Sequence, residues 1–357
     1  MKIIYIAPLS SIGGHSLISN ILLEKLSSKY KIIPIDLALS SNHYGNFSIK
    51  RLIKVIAILT KIFFLKKNSQ RVYLTISQSF FGNLKDILIY ILLFDKLDKV
   101  IIHLHGGSLG TNLFKKNRLL KNINFFFYSR LKKIIISGRS HYQIFPRFLN
   151  KKIKVIRNFA PNYVFTNYKI IDKKFNNYKN IRILFLSNML PEKGYLELFK
   201  GFKLLNKKFK NSTILEFAGK FYNPNFEKEF INLVEKEENI FYHGEVSDRK
   251  KKHLLRNAHI FCLPTSFLEG QPISILEAYA SGCFVITTKR PGIKDIFKNG
   301  KNGFFLNRVD SLSIKRKLEK ILKNQKLCKN LAFSNRKYAG KYFKEAQFIN
   351  NIEKTFI

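Results

Sequence analysis

The stretch from Ile260 to Thr288, IFCLPTSFLEGQPISILEAYASGCFVITT, leaves few folds open. A short apolar run, Ile260 to Leu263, stops at Pro264 and a polar loop. Pro272 then opens ISILEAYAS, Gly282 closes it, and a second β-branched run follows from Phe284 to Thr288. Proline is tolerated in the first helical turn and glycine just past the last. The punctuation therefore frames a helix of about ten residues inside a parallel βαβ unit. Glu269 lies in the loop and Glu277 lies inside the helix. Between them, the N–H groups of Ile273 to Leu276 have no intrahelical partner, and a helix amino terminus carries about half a positive charge, so this end attracts phosphate.

The same alternation runs through the chain. Lys2 to Ala7 reads as a buried-type strand, followed by the loop PLSSIGGHS and a helix from Leu17 to Ser27. Lys31 to Asp36, Val72 to Ser77, Lys99 to His105, Ile134 to Ser137 and Ile153 to Ile156 read as further strands. Helical segments lie at Ile49 to Lys67, Gly82 to Phe94 and Leu119 to Lys133. Tyr163 to Asn180 is polar, rich in Lys and Asn and without periodicity, so the domain boundary is placed there. The pattern restarts with strands at Ile181 to Ser187, Thr213 to Ala218 and Ile240 to His243, and a helix predicted from Tyr195 to Lys208. Strand and helix repeating at this spacing imply two doubly wound parallel α/β domains, 1–165 and 178–338, with a terminal helix within 339–357 that returns to the first.

At 357 residues the chain fits two domains of roughly 150 to 200 residues. Its net charge is +41, and residues 1–160 hold 27 Lys and Arg against 5 Asp and Glu. A compositional bias running through the whole chain accounts for some of this. A face so basic also suits an anionic membrane surface. Nucleic acid is not expected as a partner, because recognition helices, zinc ligands and RNA-binding aromatic motifs are absent. The three cysteines, Cys262, Cys283 and Cys328, show no paired or metal spacing, which indicates a reducing compartment. The amino terminus reads as a first strand rather than a signal peptide, and no apolar run is long enough to span a bilayer. A cytoplasmic protein held peripherally on the inner face of the cytoplasmic membrane is the expectation.

Several features have two readings. Gly13 and Gly14 either let backbone approach a ligand or form a plain tight turn. The loop lacks a full dinucleotide fingerprint, and no acidic residue is expected to close a well-placed second strand. Ile49 to Lys67 is a basic amphipathic helix, suited either to a sheet face or to a membrane surface. In IIHLHGG, His103 and His105 share one face, and His105 stands at a strand's carboxyl end, where open sheets bind ligands. It is either an active-site or a structural histidine; a zinc site would need a third ligand that the sequence does not suggest. Lys193, at the end of SNMLPEKG, is placed to meet phosphate with a helix amino terminus, though alone it would read as surface charge.

The ordered set SNMLPEKG, FAGK, YHGEV, LPTSFLEGQPISILEAYASGCFVITT and NGKNGFF resembles the carboxyl-terminal domain of retaining glycosyltransferases of family 4, also called glycosyl transferases group 1. The Gly-Gly loop, HLHGG and IRNFAP resemble the same family's amino-terminal half. The resemblance implies the GT-B fold, two Rossmann-like domains facing a cleft that holds a nucleotide-diphosphate sugar. By it, Glu277 holds the ribose hydroxyls and Glu269 the donor sugar, with close backbone from Gly270, Gln271 and Pro272. Lys193 and the N–H groups of Ser274, Ile275 and Leu276 meet the diphosphate, Glu245 or Val246 lies near the base, and His105 sits by the sugar. The family commonly has Gly-Arg where this chain has Ser187 and Asn188, and Lys220 or Arg139 is the candidate replacement for that cation. No Asp-x-Asp pair is present, so the transfer, UDP being one expected carrier, is read as independent of metal and of any cofactor. The expected acceptor is a lipid-linked glycan or oligosaccharide in polysaccharide biosynthesis. A nucleotide-sugar epimerase on the same fold and a basic polyanion-binding module are the rival readings.

Overall fold

A computed structural model describes residues 1–11, 13–38, 49–176 and 180–357; parts of the glycine loop and of the linker segment therefore lie outside the described residues. The chain divides into two compact units. The first comprises Met1–Asn158, Leu268–Gln271 and Ala346–Ile357, and the second comprises Phe159–Phe267 and Pro272–Glu345.

The first unit is built on a six-stranded sheet of β1 (Lys2–Ala7), β2 (Lys31–Asp36), β3 (Arg71–Thr75), β4 (Val100–Leu104), β5 (Lys133–Ile136) and β6 (Ile153–Val155). The order is β2-β1-β3-β4-β5-β6 and every pairing is parallel. Strands covered on both faces are mostly apolar, and β4 is buried at all its positions, with His103 its one polar residue. The chain leaves β1 in one direction to β2 and in the other to β3, so the switch point lies between β1 and β3. The terminal helix Glu345–Phe356 joins this unit through Ala346–Ile357. There the Arg71 Nε donates to the Phe356 carbonyl at 2.6 Å, and Lys29 pairs with Glu353 at 2.9 Å.

The second unit repeats the plan with β7 (Ile181–Leu186), β8 (Thr213–Ala218), β9 (Ile240–Tyr242), β10 (Ile260–Leu263), β11 (Phe284–Thr288) and β12 (Gly303–Leu306). Its order is β12-β11-β10-β7-β8-β9, again parallel throughout, with the switch point between β7 and β10. The helix that Pro272 and Gly282 frame runs Ile273–Ala280, with Pro272 as its amino-terminal cap residue.

Three sequence expectations change. The aperiodic linker contains a helix, Tyr168–Asn176, whose Ile171 and Phe175, one turn apart, are fully buried in the second core. The helix expected from Tyr195 to Lys208 is two pieces, Tyr195–Lys203 and Lys207–Lys210, broken before Asn206, which caps the second. An acidic residue does close the second strand: Asp36 ends β2. Burial works against its charge, but hydrogen bonds from the Ser10 hydroxyl and from the N–H groups of Leu9 and Ala38 prevail and lower its pKa. It ties down the loop after β1.

Lys174 on the linker helix holds the second unit together in an unusual way. Its ammonium donates to the carbonyls of Ala258 at 2.7 Å, Gly282 at 2.8 Å and Ser281 at 3.3 Å, and burial lowers its pKa. Replacing it by methionine keeps the volume and removes the donor. Lys174→Met should therefore reduce the second unit's unfolding free energy by about 2 to 3 kcal/mol in a urea titration. An unchanged midpoint would mean that the three carbonyls find other donors.

Candidate active site

In the first unit, Gly13, Gly14 and His105 follow the carboxyl ends of β1 and β4. Gly13, at a φ of 139° that favours glycine, caps the helix Gly14–Ser27, and its position is open: a Cβ there would meet nothing within 4 Å. His15 follows in the helix's first turn, and its ring lies 5.3 Å from that of His105. His105 in turn packs on His103 with centroids 3.8 Å apart, and His103 bonds the Tyr73 hydroxyl through Nδ1.

Both inner histidines are buried. Burial, with His103 and His15 adding repulsion, holds His105 well below the ordinary imidazole range; burial and then His15 bring His103 down to about 3. Both are therefore neutral at pH 7. Neither ring nitrogen of His105 has a hydrogen-bond partner among the described residues. A buried imidazole with both nitrogens unsatisfied is costly.

The segment Leu268–Gln271 belongs to this unit, so Glu269, Gly270 and Gln271 stand with His105 rather than with Glu277. The two turns meet main chain to main chain. A Cβ on Gly270 would fall 1.9 Å from the His105 carbonyl oxygen, and one on Gly107 would fall 2.3 Å from that of Glu269. Gln271 is fixed from the other side, its Oε1 accepting the Asn158 N–H at 3.0 Å and its carbonyl accepting the Asn158 side-chain amide at 3.1 Å. Glu269 and Gln271 are both buried.

In the second unit, the switch point joins the loops after β7 and β10. The Glu192 carbonyl accepts the N–H groups of Ser266 at 2.7 Å and Phe267 at 3.1 Å. Gly194, at φ 77°, comes so close that a Cβ would lie 2.2 Å from the Pro264 carbonyl oxygen. Lys193 is thereby set with its ammonium 4.6 Å from the Phe267 ring, a cation–π contact. Ser187 and Asn188 leave β7 beside it; the Asn188 amide donates to the Tyr222 hydroxyl at 3.0 Å, so a neutral pair occupies the place where an arginine is usual. Glu245 and Val246 follow β9, with Lys220 3.9 Å from Glu245. Arg139 is an exposed residue of the first unit.

Pro272, Ser274, Ile275, Leu276 and Glu277 form the start of the helix after β10. Glu277 is buried, and its Oε1 lies 2.9 Å from the ammonium of Lys251, on the helix Asp248–Asn257. Burial works against that ammonium, but attraction to Glu277 and Tyr163 outweighs it and raises its pKa. Sequence reading missed Lys251, because it stands in a run, DRKKKHL, where composition singles out none of the lysines. Its spacing from Leu254 and Leu255 is the signal that could have found it, since all three share the inward face. Among the described residues no three His, Cys, Asp or Glu side chains gather into a metal-ligand set.

Residues 167–338 match the model of the family described as Glycosyl transferases group 1. A 179-residue stretch is 29% identical to the N,N'-diacetylbacillosaminyl-diphospho-undecaprenol alpha-1,3-N-acetylgalactosaminyltransferase of Campylobacter jejuni, covering 50% of this chain and 45% of that protein. The capsular polysaccharide biosynthesis glycosyltransferase CapM of Staphylococcus aureus is 25% identical over 177 residues, 50% of this chain and 46% of CapM. These matches span about half the length of the two curated relatives. Among solved structures, Anabaena HepE in complex with UDP and glucose superposes with a TM-score of 0.76 at 14% identity, over 99% of both chains. WaaG, a glycosyltransferase involved in lipopolysaccharide biosynthesis, gives 0.70 at 12% identity over 99% of this chain and 98% of its own. At those identities the likeness shows the fold, that of the GT-B glycosyltransferases. With this fold, the match over residues 167–338 is to the glycosyl transferases group 1 family that the motifs of this half resemble.

Proposed function

We propose that the chain is a retaining, metal-independent glycosyltransferase that moves a hexose-type sugar from a nucleotide-diphosphate donor onto a lipid-linked glycan. The observation that carries this reading is the junction of loops after β7 and β10, which fixes Lys193 beside Phe267, while the helix after β10 opens with no side-chain cap on its amino end and carries buried Glu277. In this reading Lys193 and the N–H groups of Ser274, Ile275 and Leu276 stabilise the diphosphate as the sugar leaves, an electrostatic contribution of several kcal/mol. Glu277 takes the ribose, Glu245 and Val246 flank the base, and Ser187 and Asn188 border the phosphates. Glu269, Gly270, Gln271 and Pro272 meet the sugar, as does neutral His105, and Gly13 and Gly14 leave room for a ligand at the first unit's switch point. Two relatives support the acceptor class: one is named for a diphospho-undecaprenol substrate, the other for capsular polysaccharide biosynthesis. The UDP held by HepE supports the donor class.

A peripheral place on an anionic membrane completes the proposal. Among the described residues no helix is long and apolar enough to cross a membrane. Helix Ile49–Lys66 nevertheless exposes Ile49, Ile53, Ile56, Phe63 and Phe64 on one stripe with Lys50 and Lys61 nearby, and helix Phe80–Leu92 exposes Leu84, Leu88 and Ile91. Apolar side chains edged by lysines fit a headgroup layer.

Incubation of a nucleotide-sugar panel with membrane extract should move label into the lipid-soluble fraction, with full turnover in excess chelator. An isomerised free nucleotide sugar formed without acceptor would instead establish the epimerase, and strict manganese dependence would refute the metal-independent reading. By titration calorimetry, Glu277→Ala should weaken nucleoside-diphosphate binding about ten- to a hundredfold, the worth of a charge-assisted hydrogen bond; equal affinity would remove the ribose role. In co-sedimentation, the chain should bind phosphatidylglycerol vesicles, and Ile53→Asp with Phe64→Asp should lower that binding at least tenfold. Equal binding by this double variant would place the membrane contact elsewhere.

A further inference from the structure

The buried pair Lys251–Glu277 does more than hold two helices together. In the run Arg249 to Lys252, Arg249, Lys250 and Lys252 are exposed, while Lys251 alone turns inward. It sits one helical turn from Leu254 and Leu255, both buried, on the face that packs against the rest of the unit. Its ammonium lies 2.9 Å from Glu277 Oε1 and 5.7 Å from the centre of the Tyr163 ring. Burying two charges costs several kcal/mol, which their attraction repays only in good geometry, and a well-packed apolar pair serves stability as well or better. An ion pair retained at such a position therefore needs a reason beyond packing.

The carboxylate provides one. It can accept about four hydrogen bonds over its two oxygens. Lys251 lies 2.9 Å from Oε1 as an ion pair, yet Oε1 accepts no hydrogen bond of good geometry among the described residues. Glu277 stands just past the first turn of the helix, beyond the N–H groups that face its amino end. Without a partner, a carboxylate so deeply buried would turn away, and that change would remove an acceptor for vicinal hydroxyls. The lysine prevents it.

We propose that Lys251 is a positioning residue that holds the Glu277 carboxylate aimed, so that the pair together selects nucleotides carrying both ribose hydroxyls. The proposal rests on the reading that Glu277 takes the ribose of a nucleotide donor, and its test separates the two claims. Calorimetry on the full chain compares UDP with 2′,3′-dideoxy-UDP, with the guanosine pair run alongside to cover the other base class. Wild type should prefer the diol nucleotide at least tenfold. Lys251→Met should weaken UDP binding about tenfold and leave dideoxy-UDP binding unchanged, bringing the ratio near one. Lys251→Arg should restore most of the preference.

Lys251→Met leaves Glu277 unpaired and strains the fold, so Lys251→Met with Glu277→Gln, which buries no charge, is measured too; it should fold and show the same loss of preference. If Lys251→Met lowers the affinity of both nucleotides equally, Lys251 acts as a general cation and the positioning role is overturned. If it keeps the wild-type ratio, the pair is structural and the proposal fails while the donor reading stands. A wild type that binds neither base's diphosphate overturns both.

Discussion

The loops of both units depend on backbone meeting backbone. Gly270 lies against the His105 carbonyl and Gly107 against that of Glu269, at separations that would place any Cβ within 2.3 Å of an oxygen. Gly194 lies as close to Pro264. Real Cβ atoms do not approach oxygen so closely, so these contacts exist only because glycine removes the atom that would prevent them. The result is rigidity where loops are ordinarily loose. Glu269 and His105 share one anchored junction, and Lys193 and Phe267 share another. Polar groups on such junctions are held in position before a ligand arrives, which is the condition for electrostatic stabilisation without reorganisation.

Buried charge follows a different logic at each site. Lys174 spends its ammonium on three backbone carbonyls of the second unit, and its partners are satisfied within the fold. Asp86 is fully buried, paired with Lys85 and accepting the Ser77 N–H at 2.7 Å, so its oxygens are likewise used locally. Glu277 and His105 differ from these. The glutamate faces Lys251 as an ion pair without accepting a hydrogen bond at Oε1, and the imidazole has no partner for either nitrogen among the described residues. Native folds leave few buried polar atoms unsatisfied.

Much of the architecture was legible because it is local. The runs IFCL, FVITT and VIIHL are continuous β-branched or apolar strands, and Pro272 and Gly282 mark a helix to within two residues of its observed ends. The helix Tyr168–Asn176 escaped because lysines and asparagines hide a stripe of only two buried residues, Ile171 and Phe175. Asp36 escaped because its partners, Leu9 and Ser10, lie far off in sequence. For the same reason nothing in LPTSFLEGQP announces that Leu268–Gln271 joins the first unit while its flanks belong to the second. Lys251 is the limiting case. Helical phase turns one lysine of a basic run inward, and phase can be read from Leu254 and Leu255, but the carboxylate it meets is a tertiary fact.

The neutral pair at Asn188 and Tyr222 bears on how a chain this basic handles an anion. A net charge of +41 raises the local concentration of any polyphosphate, but that field is screened within about 10 Å at 0.1 M salt and has no preferred direction at the scale of a single bond. Attraction is therefore abundant and orientation scarce. In the proposed reading, orientation comes from groups whose positions are fixed: the helix end at Ser274 to Leu276, Lys193 held over Phe267, and Glu277 held by Lys251. On that reading, an arginine beside Lys193 would add more of what the chain already has in excess, whereas an aimed carboxylate adds a hydrogen-bond acceptor that discriminates one bound pose from another.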